Sequence, residues 1–192
     1  MDKNLIIKKQ TEEIKKLKKE KTELKKLVYL DFLTKLYNRR GLIELSEIYF
    51  ESVKNSKKKQ RKNEIHFLSI IFLDIDDFKK INDRYGHHKG DKVLKSFAKF
   101  LKKNFRKTDI ISRWGGEEFV ILLIDTPYQL AEKIAAKTLK KIENSVFGGF
   151  KITCSAGVAS CRHEKTIEEL IDKGDKLMYQ AKRKGKNQLV SE

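Results

Sequence analysis

Three acids close an apolar run in Phe72-Leu73-Asp74-Ile75-Asp76-Asp77-Phe78-Lys79, where a buried strand would turn directly into a helix. Asp76 alone could cap that helix, which would account for one acid of the three. A hard divalent cation accounts for the whole cluster, because Mg2+ takes a few carboxylates and leaves places for water and phosphate oxygens. The free amides of the helix start, with Lys79 one turn in, would then form a phosphate cradle. A second group of acids follows a glycine turn in Arg113-Trp114-Gly115-Gly116-Glu117-Glu118-Phe119. Taken alone it reads equally as a solvent-exposed turn, although adjacent carboxylates repel unless something positive lies beside them. If this turn lies next to Asp74, then Asp74 and Glu117 converge on one cation, and Glu118 is left for a second ion or for a proton. The third group, Asn82-Asp83-Arg84-Tyr85-Gly86-His87-His88-Lys89-Gly90-Asp91, reads as a loop between helices. Its Asn and Asp could read a guanine edge or could serve turn chemistry alone. His87 and His88 have no thiolate or third histidine nearby, so zinc is disfavoured.

The elements that must hold these groups alternate between helix and strand. The apolar, β-branched run from Glu64 to Ile75 suits a central strand buried on both faces. Further strands fit Asp109 to Trp114, Phe119 to Ile124, Lys151 to Ala159 and Asn187 to Val190, the first two of these forming a hairpin whose tip carries Glu117 and Glu118. Helices fit 39 to 57, Asp77 to Arg84, Lys89 to Lys103, Tyr128 to Asn144 and Thr166 to Arg183. Residues 1–30 are helical by composition, with Ile7, Ile14, Lys21 and Val28 at one heptad position and Gln10, Leu17 and Leu24 at another. This predicts a short parallel coiled coil, or, given the polar Gln10 and Lys21, an amphipathic helix lying on its own domain.

The 192 residues carry 39% apolar and 37% charged side chains, enough apolar surface for a core and too much for wholesale disorder. No stretch is apolar for long enough to span a membrane, and Met1-Asp2-Lys3 opens into a charged helical pattern without a signal-peptide apolar stretch, so the expectation is a cytoplasmic chain. Cys154 and Cys161 lack zinc or disulfide spacing and are expected to be reduced, which leaves oxygen ligands for any metal. The net charge of +17 is dispersed among residues 3–26, the run Lys57 to Lys62 and the tail Lys182-Arg183-Lys184-Gly185-Lys186. No aromatics interleave with these runs, which predicts no nucleic-acid partner.

From Asp31 onward the chain resembles the diguanylate cyclase family, the GGDEF domains, with the signature in its GGEEF form at Gly115 to Phe119. Four further blocks match in order and spacing: Asp31 to Arg40, Phe72 to Lys79, Asn82 to Asp91, and Ala181 to Asn187. The resemblance covers roughly 160 of the 192 residues. It implies an α/β fold, a central, mostly antiparallel five-stranded sheet surrounded by helices and related to polymerase palms and nucleotide cyclases, with residues 31–192 as the catalytic domain and 1–30 as a helical stalk. It implies two GTP condensed into cyclic di-GMP and two pyrophosphates at the interface of a homodimer, with two Mg2+ per GTP, Mn2+ being a substitute. The implied metal ligands are Asp74, the carbonyl of Ile75, Glu117 and Glu118; Glu117, Glu118 and Lys79 would be catalytic. Asn82, His87 and Asp91 would surround guanine, and Phe78, Lys79, Lys182 and Lys186 the phosphates, Lys186 standing where the family more often has Arg. Lys35 replaces a common Gly. Arg106 and Asp109 match the Arg-x-x-Asp of a product-inhibition site, and otherwise read as a surface ion pair. An upstream sensory domain commonly precedes such a stalk, so the chain is either an excised output module or a minimal enzyme. The alternative activity is a non-catalytic receptor for GTP or cyclic di-GMP.

Overall fold

A computed structural model describes residues 3–56 and 65–192. In chain order these form α1 (Lys3–Tyr29), α2 (Arg39–Ser56), β1 (Leu68–Ile75), α3 (Phe78–Tyr85), α4 (His87–Asn104), β2 (Ile110–Arg113), β3 (Glu118–Ile124), α5 (Tyr128–Glu143), β4 (Cys154–Ser160), α6 (Ile167–Arg183) and β5 (Leu189–Ser191). The basic run from Lys57 to Lys62 and the side chain of Ile7 lie outside the described residues. The sheet order is β2-β3-β1-β4-β5, antiparallel except for the β4–β5 pair. This is the mostly antiparallel five-stranded sheet implied by the resemblance.

β1 is buried along its whole length, as its unbroken apolar sequence requires of a central strand. It begins at Leu68 rather than Glu64 because its ladder with β3 starts at the Leu68–Ile124 pair; beyond Ile124 the chain turns, and Asp125 takes the His66 N–H at 3.0 Å. Alternation divides its side chains between two cores. Ile71, Leu73 and Ile75 join Phe97 and Leu101 of α4 and Ala135 and Ile142 of α5. Ile70 and Phe72 join Leu42 and Phe50 of α2 and Ile171 and Met178 of α6. Two helices therefore cover each face, and Asp74, next in the even series, points toward α6.

α1 keeps its apolar stripe off its own domain, since Ile14, Leu17, Leu24, Leu27 and Val28 are between 41% and 78% exposed. Its C-terminal end is held where Asn38 Nδ2 donates to the Val28 carbonyl at 2.9 Å and the Asn38 N–H donates to the Tyr29 carbonyl, also at 2.9 Å. The opening turn after it is stitched to β2 through Tyr37, whose N–H donates to Ile111 and whose carbonyl accepts from Arg113. Lys35 adopts a left-handed φ of 56°, which a Gly would take without strain. Both cysteines are free thiols.

Candidate functional site

Asp74 and Glu118 are Cα partners across β1 and β3. The Ile75 N–H donates to the Glu117 carbonyl at 3.2 Å, which lays the glycine hairpin beside the end of β1. The condition on which the sequence made these acids converge is therefore met. The hairpin is braced on several sides. Arg113 donates to the Gly116 carbonyl through Nε at 3.1 Å and Nη2 at 2.8 Å, and its Nη1 reaches the Asp31 carboxylate at 3.3 Å. Trp114 packs edge-on against Phe72 and beneath the Arg39 guanidinium. A Cβ at Gly115 would lie 2.1 Å from Glu118 Oε2, so a larger residue there would displace the Glu118 carboxylate.

Asp74 is buried, and Lys182 of α6 places its Nζ 2.6 Å from the carboxylate. Burial drives the Asp74 pKa up to about 6 despite the lysine, and the charges of Glu117 and Glu118 push the same way. Glu118 is likewise raised, by burial and then by Asp175. These are carboxylates held against their own charge, the condition that a divalent cation relieves. Among the described residues no three His, Cys, Asp or Glu side chains form a ready metal cluster. Asp74, the Ile75 carbonyl, Glu117 and Glu118 are the groups that could hold a Mg2+ ion here, with phosphate oxygens completing its shell.

The other two acids of the triplet take no part in that group. Asp76 does not cap α3; it is buried and accepts from Thr153 Oγ1 at 2.7 Å, Ser155 Oγ at 2.7 Å and the Asn187 N–H at 3.1 Å. The N-cap is Asp77, left-handed at φ 56° and without a side-chain cap bond. Its carboxylate pairs with Lys80 at 3.0 Å and Lys186 at 2.8 Å. Asp76 and Asp77 together tie the tail loop that carries Lys186 to the β1–α3 junction. Phe78 sends its ring into the core, and Lys79 is exposed beside it.

The expected loop from Asn82 to Asp91 is instead two helices that meet at Gly86. Asn82 lies in α3 and Asp91 in α4, both half-buried, and His87 is the exposed first residue of α4. Gly90 lets the two helices close, since a Cβ there would lie 2.0 Å from Asn82 Oδ1. Far from this group, the Arg106 N–H donates to Asp109 Oδ2 at 2.9 Å. The two side chains form no ion pair; they border a cavity of about 390 Å³ that Leu30, Lys35, Tyr37 and Lys102 also line. Sequence reasoning missed the Asp31–Arg113–Gly116 brace and the Asp76 latch. Its one available signal was an Asp-x-x-Thr turn, in which Asp31 accepts from the Thr34 N–H at 2.8 Å.

The fold matches the coiled coil and GGDEF domain of DgcB from Caulobacter crescentus, solved in complex with c-di-GMP, with a TM-score of 0.84 over 98% of both chains at 19% identity. The active GGEEF domain of a diguanylate cyclase from Vibrio cholerae is 33% identical, with a TM-score of 0.71 over 80% of this chain and 96% of that one. Diguanylate cyclase DgcM of Escherichia coli is 36% identical over 93% of this chain, and the response regulator PleD of Caulobacter vibrioides is 37% identical over 85% of it. The chain spans 42% of DgcM and 36% of PleD, less than half the length of either. The family described as "Diguanylate cyclase, GGDEF domain" matches residues 28–188, and the chain belongs to that family.

Proposed function

We propose that this chain is a diguanylate cyclase, in which two copies, each holding one GTP, condense the pair into cyclic di-GMP. The observation that carries the reading is the Asp74–Glu118 pairing across the sheet, which gathers acids at a strand end against Lys182. Two Mg2+ ions, for which Mn2+ can substitute, would polarise the α-phosphate and acidify the attacking hydroxyl when held by Asp74, the Ile75 carbonyl, Glu117 and Glu118. In each of two steps the 3′-oxygen of one nucleotide bonds to the α-phosphorus of the other, and the bond from that phosphorus to pyrophosphate breaks. Glu118, whose proton affinity is raised by burial and Asp175, accepts the hydroxyl proton. Lys79 and Lys186 neutralise the leaving triphosphate oxygens, joined by Lys182 once a metal relieves it of Asp74. Asp91 accepts from guanine N1 and N2 with Asn82 beside it, an arrangement that adenine's N1 lone pair opposes.

Catalysis then depends on association, and the exposed stripe on α1 is the surface that would pair with a second copy. A sensory domain ahead of that helix in the intact polypeptide would act through it. Arg106, which forms no ion pair among the described residues, and Asp109 would hold cyclic di-GMP at the cavity they border and so slow the enzyme as product accumulates. Free thiols and a GTP substrate suit the cytoplasm.

The test is purified protein with GTP and Mg2+, followed by separation of the nucleotides. The expected products are cyclic di-GMP and pyrophosphate in a ratio of one to two. GTP bound but unconverted at high protein concentration would make the chain a receptor, and ATP joined as readily as GTP would remove Asp91 from its role. Cyclic di-GMP titrated into wild type and Arg106→Ala should bind and inhibit only the former.

A further inference from the structure

The two faces of the sheet carry very different charge. On α2 and α6, seven Lys and Arg stand against seven Asp and Glu, and Lys54, Lys173 and Lys182 are in ion pairs. On α4 and α5 ten lysines stand against three acids. All ten are exposed, and among the described residues none forms an ion pair. Ten lysines against three acids leave a net +7 on the α4/α5 side of the sheet, while the α2/α6 side balances at seven against seven.

Its arrangement is regular. Lys92, Lys95, Lys99 and Lys102 recur at three- and four-residue steps on α4, and Lys133, Lys137 and Lys140 do so on α5. Each series is therefore one stripe, opposite the stripe that enters the core. The helices are neighbours, since Lys141 Nζ donates to Asn104 Oδ1 at 2.7 Å and Phe147, just past α5, packs on Phe100 of α4. Unpaired like charges at this density repel one another and weaken the fold that carries them.

We propose that the α4/α5 face is a docking surface for an anionic lipid bilayer. Neither helix carries an arginine or an exposed aromatic. A nucleic-acid surface would be expected to use both, for bidentate phosphate or base contacts and for stacking. Ammonium groups alone impose little geometry on their partner, which suits headgroups that can move laterally to meet them. Asp74 and Lys182 point to the opposite face of the sheet, so docking leaves the carboxylate group uncovered. The reading does not rest on the proposed activity.

The experiment is co-sedimentation of the full chain with phosphatidylcholine vesicles, with or without about one-third phosphatidylglycerol. Wild type should pellet with the anionic vesicles only and be released by raised salt. The Lys95→Glu, Lys99→Glu, Lys133→Glu, Lys140→Glu variant should lose about tenfold or more in apparent affinity. A control reversing Lys15, Lys16, Lys176 and Lys184 should keep most of the binding. Circular dichroism checks the fold, and the same four sites changed to Gln serve if reversal unfolds the protein. Equal pelleting of the α4/α5 variant and wild type would overturn the proposal, as would equal loss in the control. Binding to duplex DNA but not to vesicles would assign the face to nucleic acid instead.

Discussion

Asp74 and Asp76 stand two residues apart at one strand end, both buried, in opposite company. Asp74 has other acids beside it, with one lysine as its counter-charge. Asp76 has hydroxyls and a backbone N–H, three donors in all. Glu164 belongs with Asp76, for it accepts from Lys173 Nζ at 2.9 Å and from the Arg162 and His163 N–H groups at 2.6 and 3.0 Å. Glu164 gains stability from its charge among donors, whereas Asp74 carries its charge against burial and two neighbouring carboxylates, with Lys182 as a partial offset. Since Asp74 and Asp76 are both buried, their company is what distinguishes these two acids.

The largest effect that could break this division lies at Asp74. Asp74→Asn should lower cyclic di-GMP formation by about a hundredfold or more while leaving the fold intact, measured by nucleotide separation beside a urea titration. Stability should also lose a pH slope. The carboxyl titrates at about 6 in the fold against an ordinary 3.8, so between those values the folded protein binds more proton than the unfolded one. Without metal, the stability that this carboxyl contributes is then full below that window and is lost as pH rises through it. The variant should lose that part of the slope while Glu118 keeps its own, and an unchanged slope would remove Asp74 from the group of opposed acids.

Asp76→Ala should do the reverse. Removing one acceptor strands three donors at a buried site and should cost about 2–4 kcal/mol. Any loss of turnover should be smaller than that of Asp74→Asn, and should arise because the tail loop bearing Lys186 and Asn187 is no longer held. If Asp76→Ala folds as well as wild type but is inactive, Asp76 belongs to the site and the division fails.

Most of this frame can be read from the chain. The long apolar run of β1, the hairpin signature and the periodic helices all follow from local pattern, and each appears within a few residues of its expected place. What pattern cannot supply is company. Asp76 finds Thr153, Ser155 and Asn187 only after β4 and the tail have folded back, so in sequence it is one of three equal acids. Asn82 to Asp91 has the composition of a loop, yet two glycines with different tasks make it a helix junction: Gly86 turns the chain and Gly90 admits Asn82. The lysines of α4 and α5 likewise seem scattered until two separate helices are laid on one side of the sheet.

The smallest predicted effect tests the division at a place remote from the site. Burial alone would raise Glu164, but the Lys173 ammonium and neighbouring backbone N–H groups outweigh it and hold the carboxyl down at about 2, against an ordinary 4.5. The unfolded chain therefore binds the proton first. The stability that Glu164 contributes is fully present above pH 4.5 and is lost as pH falls toward 2, the opposite sign to Asp74. Because the pair is partly open to solvent, its contribution is about 1 kcal/mol or less. Glu164→Gln should keep a neutral acceptor for the backbone, leave cyclic di-GMP formation at the wild-type rate, and make acid unfolding less steep between those two values. Urea midpoints measured across that range would check it. A variant whose midpoint tracks wild type at every pH would show that donors around a carboxylate are not enough to make it structural.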